Sequence, residues 1–245
     1  MEFSFDGIGS AAQSMSPAAI PTGHNNKGFF KRALMNLFII AFMFGFVELY
    51  TFCLGSGNGL IGLTISLAII SFWRTDIGIK PLQGAFVIWG SFLLTGGATF
   101  LASFHPAIGV FVNFASIYII LTLTSHQPMA KAYYPILSCY LFAQSSPVYG
   151  IDYGLRMIGI AGGGLIVAII YYMRHRKVKR RRNITDIFRE THFCSIRTKF
   201  FIRLTTGLTI AMLIGDFYHV LKPAWISFTV LSLVHPFVNE SRKKI

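Results

Sequence analysis

The stretch YYMRHRKVKRRR, residues 171–182, joins the end of an apolar segment to a dense run of Arg and Lys. Half of the chain's 22 Lys and Arg residues fall between Arg174 and Arg203, whereas residues 28–173 carry few charges. Alone, the run and the net charge of +13 would suggest nucleic-acid binding. Its position overrules that interpretation, because Tyr followed by basic residues at the end of an apolar segment is typical of the cytoplasmic face of a membrane. We therefore expect a membrane protein with no nucleic-acid partner.

The overall composition indicates the same class of protein. Hydrophobic residues make up 53 % of the chain, charged residues only 13 %, and the mean hydropathy is +0.58. A soluble domain carries about 25 % charged residues to keep its surface in water. The three cysteines, Cys53, Cys139 and Cys194, are scattered without the spacing of a metal site or a disulfide framework. We expect neither a disulfide nor a bound metal.

Eight apolar segments predict the fold class, an all-α polytopic membrane protein with about eight transmembrane helices. A helix needs about 20 apolar residues to cross roughly 30 Å of hydrocarbon. Most of the segments approach that length, and the second, fifth and eighth are short. The segments are residues 30–50, 58–73, 82–103, 106–124, 133–149, 153–173, 201–219 and 223–238.

The positions of the basic residues predict the orientation, since cytoplasmic loops carry an excess of Lys and Arg. They occur at Lys27, Lys31 and Arg32 before the first segment, Arg74 and Lys80 after the second, Lys131 after the fourth, residues 174–182 after the sixth, and residues 242–244 after the eighth. The alternate loops, residues 55–59 and 103–106, carry none, and the last of them has Lys222 alone. Both termini are therefore expected in the cytoplasm.

Four regions follow from this pattern. Residues 1–27 form a polar cytoplasmic segment, residues 28–173 a six-span unit, residues 174–199 a basic cytoplasmic linker, and residues 200–245 a partial second unit. Apolar and charged residues alternate in the linker, so it either forms a short amphipathic helix on the membrane or is an ordinary ordered linker. In either case the basic residues of 174–203 are expected to attract anionic lipid headgroups of the bilayer.

The second unit begins like the first. Residues 29–32, FFKR, open the first span and residues 200–203, FFIR, open the seventh. Each of these spans ends near an acidic residue beside aromatic ones, Glu48 in the first and Asp216 in the seventh. We interpret this as a parallel repeat whose second copy stops after two spans. We expect a truncated form of a longer protein, with a genuine eight-span protein as the alternative. The expected protein partner of this chain is a missing second half or another copy of the chain.

Short motifs in both units resemble those of a known family. Arg203 opens the seventh span, and KPAWISFTV at residues 222–230 and the pair His235-Pro236 follow it. The similar positions in the first unit are Arg32, residues 63–65 and residues 80–84, whereas Gly59 or Leu60 stands where the family has Trp. These residues resemble the fusaric-acid-resistance, or aromatic acid exporter, family.

The resemblance implies a multi-pass protein of the bacterial plasma (inner) membrane that exports aromatic carboxylic acids. The expected function is therefore efflux of small organic acids by a secondary, proton-linked mechanism. The alternative is a non-transporting membrane scaffold or an inactive fragment of a longer exporter. No catalytic constellation, phosphate-binding loop or cofactor motif occurs in the sequence, so we expect no enzyme and no cofactor.

Four ionisable residues lie in or at the spans, where a charge is costly: Glu48, Asp152, Arg156 and Asp216. Arg156 follows Asp152 by four residues, so the two are able to pair on one helix face. On the functional interpretation Arg156 attracts a substrate carboxylate while Glu48 or Asp216 cycles a proton. On the structural interpretation all four are ion-paired or reach the outer interface.

Two further features concern the backbone. Gly159 and Gly163 lie four residues apart in the sixth span, and this spacing predicts the close approach of another helix backbone. Residues 144–147, QSSP, interrupt the fifth span and leave backbone polar groups that protein or water must satisfy. This interruption is either a broken-helix site or an ordinary loop at the end of a short helix.

Overall fold

The computed structural model describes residues 26–124, 131–177, 182–189, 196–218 and 223–234. Within these ranges every regular element is a helix, as the sequence predicts. The helices are α1 (Asn26–Leu54), α2 (Gly59–Arg74), α3 (Pro81–Ala102), α4 (Pro106–Thr124), α5 (Tyr134–Ser145), α6 (Ile151–His175), α7 (Ile184–Arg189), α8 (Ile196–Phe217) and α9 (Ala224–Leu233). A single 3-10 turn, Ser56–Asn58, separates α1 from α2.

Six spans in the described part of the chain are long and apolar enough to cross a membrane, which is compatible with a multi-pass membrane protein. They are Phe30–Leu54, Ser56–Arg74, Pro81–Ala102, Ala107–Thr124, Ile151–His175 and Arg197–Phe217. The fifth and eighth predicted spans correspond to α5, with 12 residues, and α9, with 10. At 1.5 Å per residue these reach only about 18 and 15 Å. Six of the eight predicted spans thus have a counterpart of full length, and the total number of spans stays a prediction.

The chain divides into two compact units, residues 1–41 and 42–245. The described part of the first unit is the N-terminal portion of α1, which begins at Asn26. The second unit contains the end of α1 and all the other helices. The four predicted regions and the parallel repeat stay predictions. Residues 1–25, Cys194, Lys222 and residues 235–245 lie outside the described part of the chain.

Helix α5 is the most deeply enclosed element of the second unit. Pro135 lies in its first turn, where the missing N–H leaves no hydrogen bond unmade. Residues 135–141 are all buried, on every side of the helix, because α5 packs against α2, α3, α4 and α9. A helix that is apolar all round belongs in the interior. Since α5 is surrounded by protein, it does not need the length of a lipid-exposed span.

Large side chains of neighbouring helices pack over several glycines of α6, and the close helix packing predicted at Gly159 and Gly163 stays a prediction. Tyr50 of α1 fills the space over Gly159, and Ile65 of α2 fills the space over Gly163. The same packing recurs where Tyr50 also covers Gly62, Tyr171 covers Gly84, Met157 covers Gly96 and Phe92 covers Gly164. The missing Cβ atoms therefore create sockets for side chains of neighbouring helices.

Basic residues that are distant in sequence lie close together at one end of the second unit. The backbone N–H of Lys80 donates to the carbonyl of Arg182 over 3.1 Å. The guanidinium of Arg174 lies over the ring of Trp73, 5.7 Å from its centroid. The connection between α2 and α3 and the end of α6 thus share one end of the helix bundle. We call this the basic end.

The predicted linker contains α7, which begins with a side-chain cap. The backbone N–H of Asn183 donates to the Asp186 carboxylate over 2.8 Å, which is half of a capping box. The N–H of Ile184 donates to the side-chain carbonyl of Gln83 on α3 over 3.1 Å. This segment is therefore attached to the start of α3, and contact with anionic lipid stays a prediction.

Candidate functional site

Arg156 lies near the start of α6, at the end of the bundle opposite the basic end, and its side chain is only 2 % exposed. All five of its N–H groups donate hydrogen bonds, and every acceptor is neutral. Nε donates to Asn58 Oδ1 (2.8 Å), Nη1 to the carbonyls of Ala143 (3.2 Å) and Ser146, and Nη2 to the carbonyl of Gly57 (2.9 Å) and Ser146 Oγ (3.5 Å). Arg156 therefore joins α6 to two interruptions of the chain.

Both interruptions expose carbonyl groups that no helix satisfies. Gly55, with φ of 91°, precedes the turn between α1 and α2, and Gly150, with φ of 62°, precedes α6. Glycine is favoured in this left-handed backbone conformation because glycine has no Cβ atom. Asn58 is held in place by donating from Nδ2 to the Leu54 carbonyl over 2.7 Å, which turns its oxygen towards Arg156. The interruption at residues 144–147 is thus satisfied within the protein, by a side chain from the next helix.

This geometry replaces the predicted pair of Asp152 and Arg156. Asp152 is exposed, whereas the guanidinium of Arg156 points into the bundle and bonds to other residues. In the described part of the chain its hydrogen bonds reach no carboxylate. The guanidinium remains protonated in proteins, so a positive charge is buried here with neutral hydrogen-bond acceptors around it.

A cavity of about 470 Å³ adjoins Arg156. It opens between the ends of α3, α5 and α8, the start of α6 and the loop before α6. Its lining residues are Thr99, Phe100, Ala102, Ser103, Ala143, Gln144, Pro147, Val148, Tyr149, Gly150, Tyr153, Arg156 and Asp216. The volume suits a small organic molecule.

Aromatic rings form one side of this cavity. Phe100 and Tyr153 pack with their ring centroids 5.1 Å apart and their planes inclined by 34°. The Tyr153 hydroxyl donates to the carbonyl of Gly96 over 2.8 Å, which fixes the position of the ring. A flat apolar ligand would find a preformed surface here.

Two of the four predicted ionisable residues meet at this cavity. Arg156 and Asp216 both belong to its lining, so they share one site although they are distant in sequence. Glu48 is exposed on α1, and neither it nor Asp152 contributes to the lining. Whether any of the four carries substrate or protons stays a prediction.

Gln144 is the residue whose role the sequence did not reveal. It lies in the last turn of α5, as the first residue of the 144–147 interruption, and its side chain lines the cavity. Its Oε1 atom is buried and accepts no hydrogen bond from the described residues. The sequence marks residues 144–147 as an interruption, but only the structure identifies the one amide oxygen there that lacks a donor.

No group of three or more His, Cys, Asp or Glu side chains is arranged to hold a metal ion within the described ranges. Comparison with known proteins adds no assignment: no family model, no curated protein and no solved structure matches this chain. The resemblance to the aromatic acid exporter family therefore stays a prediction.

Proposed function

We propose that this chain is a transporter-like protein of the bacterial plasma membrane that binds small aromatic organic acids in the Arg156 cavity. Export by a secondary, proton-linked mechanism, with both termini in the cytoplasm, is part of the proposal. Six helices with the length and apolarity of membrane spans support the membrane location. Arg156 lies about 27 Å along α6 from Arg174, so the cavity and the basic end would face opposite sides of the bilayer.

The observation that carries the proposal is a buried guanidinium with neutral partners beside an aromatic cavity. An ionisable group at membrane depth is costly, and its usual roles involve substrates or ions. The field of Arg156 attracts the electron-rich oxygens of a carboxyl group that enters the cavity. The rings of Phe100 and Tyr153 provide contact area for the aromatic part of such a ligand.

A structural role is the second candidate, and one observation favours it. All five N–H groups of Arg156 are already used within the protein, so its hydrogen bonds hold the turn between α1 and α2, the end of α5 and α6 together without a ligand. In that case the chain would be a membrane scaffold or an inactive fragment of a longer exporter. The cavity would then be a consequence of the interrupted α5.

Blocking the cavity distinguishes these candidates. Ser103→Trp places a large ring at the cavity lining, and Ser232→Trp is its matched control on α9, outside the cavity. Both serines are exposed and donate to the carbonyl three residues earlier, over 2.7 and 2.9 Å. The purified variants would be reconstituted into liposomes, and release of radiolabelled benzoate measured with and without a proton gradient.

If the cavity transports acids, Ser103→Trp abolishes benzoate release that depends on the proton gradient, and Ser232→Trp retains it. Release at the rate of protein-free liposomes by the wild-type protein would contradict transport of this substrate. Equal release by both variants would exclude the cavity as the route.

A further inference from the structure

We propose that the cavity takes an aromatic zwitterion, a ligand whose ring carries both an ammonium group and a carboxylate, and that the exposed carboxylate of Asp216 holds the ammonium group. The carboxylate of such a ligand lies towards Arg156, and its ring packs against Phe100 and Tyr153. This inference rests on the proposed function, because it names the kind of aromatic acid that the same cavity takes.

The first argument is the difference in accessibility between the two charged residues of the lining. Asp216 is exposed near the end of α8, so a ligand in the cavity is able to reach its carboxylate. Arg156 is only 2 % exposed, and its five N–H groups donate to protein atoms. A direct hydrogen bond between a ligand and a charged side chain of the lining therefore falls to Asp216, whereas Arg156 acts through its field.

The second argument is the sign of the charges in the cavity. In the described part of the chain, the charged residues of the lining are one positive, Arg156, and one negative, Asp216. A ligand with a carboxylate alone is attracted by Arg156 and repelled by Asp216, and a ligand with an ammonium group alone meets the opposite pair of effects. A zwitterion is able to place each of its charges nearer to the side chain of opposite sign. The lining therefore favours a ligand that carries both charges.

The third argument is the aromatic surface in the same cavity. Phe100 and Tyr153 form the ring pair, and Tyr149, which is 75 % exposed, also belongs to the lining. The face of an aromatic ring attracts a cation, and aromatic residues surround ammonium groups in many binding sites. The same rings provide contact area for the aromatic part of a ligand. Aromatic rings and an accessible carboxylate together suit an ammonium group that is attached to an aromatic body.

The test compares ligands that share a phenyl ring on a short alkyl chain. Phenylalanine carries both charges, phenylpropionate lacks the ammonium group, and phenethylamine lacks the carboxylate. Binding to the purified protein in detergent is measured by ligand-observed NMR titration at neutral pH, and thermal unfolding of each variant is recorded in parallel. Asp216→Asn removes the charge and keeps the side-chain size. Asp152→Asn is the matched control, because Asp152 is also exposed, at the start of α6, and does not line the cavity.

The wild-type protein should bind phenylalanine about tenfold more tightly than phenylpropionate or phenethylamine, which is the gain expected from one added hydrogen bond between charged groups. Asp216→Asn should bind phenylalanine about tenfold more weakly than the wild type, and should bind phenylpropionate at least as tightly. Asp152→Asn should bind each ligand like the wild type. Raising the pH above the pKa of the phenylalanine ammonium group should weaken its binding to the wild type, while binding of phenylpropionate stays constant.

Phenylpropionate binding as tight as phenylalanine binding in the wild type would overturn the inference without any variant. Wild-type affinity for phenylalanine in Asp216→Asn would also overturn it, as would absent binding of phenylalanine to the wild type. Two results separate the inference from the proposed function. Phenylalanine binding that depends on Asp216, without transport in liposomes, would retain the inference and reject the transporter. Benzoate release that Ser103→Trp blocks, together with a preference for phenylpropionate over phenylalanine, would retain the transporter and reject the inference.

Discussion

Replacing Gly163 with alanine tests the sockets of α6 directly. A Cβ at Gly163 would overlap Ile65 Cδ1 and lie 3.1 Å from both Cγ atoms of that side chain. Ile65 is fully buried in the core of the second unit, so it has little room to move. At the adjacent Gly162 a Cβ would meet nothing within 4 Å. The two positions therefore differ in packing while sharing one helix.

The size of the expected stability difference between Gly162→Ala and Gly163→Ala follows from two opposing effects. Glycine to alanine inside a helix gains about 1 kcal/mol from helix propensity, and both positions receive that gain. Excess volume in a packed core costs about 1–3 kcal/mol. Gly163→Ala should therefore be less stable than Gly162→Ala by about 1–3 kcal/mol. At roughly 2–4 °C per kcal/mol for a chain of this size, the unfolding temperatures should differ by about 2–12 °C.

The assay is thermal unfolding of both variants in one detergent. The fraction of protein that stays monodisperse after heating is measured by size-exclusion chromatography. Ile65→Val provides a further control, because it removes the Cδ1 atom that lies closest to the new methyl group. Combined with Gly163→Ala, it should recover part of the lost stability, which a double-mutant cycle would measure. Equal unfolding temperatures for Gly162→Ala and Gly163→Ala would refute the socket argument.

Two further predictions concern topology and the role of Arg156. In a background without native cysteines, cysteines at Lys177 and Ser103 should react with a membrane-impermeant maleimide from opposite sides of the membrane; labelling of both from one side would contradict the orientation. Arg156→Gln should lower the stability of the folded protein, because it leaves several buried acceptors without donors, and each such acceptor costs about 1–3 kcal/mol. Asp152→Asn should have little effect, since Asp152 is exposed. Equal losses of stability in Arg156→Gln and Asp152→Asn would contradict this expectation and favour an ion pair between Asp152 and Arg156.

The sequence predicts the long helices well because their signal is local. A run of about 20 apolar residues is visible without knowledge of the neighbours, and all six long spans coincide with predicted segments. The fifth segment differs from the six long spans because it is a short helix enclosed by other helices. Hydropathy does not detect this difference, since buried residues and residues that face lipid are equally apolar. The number of residues in α5, 12, becomes informative only when its neighbours are known.

The cavity could not be predicted from the sequence, because it is formed by contacts between residues that are remote in the chain. Arg156 bonds to Asn58, 98 residues away, and to Ala143, 13 residues away. From the sequence, Asp152 is the nearest available partner on the same helix face, and the i,i+4 rule favours it. That rule describes isolated helices in water. In the interior, the turn between α1 and α2 and the end of α5 supply the oxygen atoms that accept from the guanidinium.

The hydrogen bonds of Arg156 also have a consequence for how the protein is made. Every acceptor of its guanidinium, from Gly57 to Ser146, precedes it in the chain. The ribosome therefore synthesises all the acceptors before it adds the charge that they bind. An arginine at the centre of a membrane span costs about 2.5–3.5 kcal/mol on insertion scales, and less towards the end of a span. Because the acceptors already exist, Arg156 is able to make all of these hydrogen bonds as soon as α6 is synthesised, before α8 and α9.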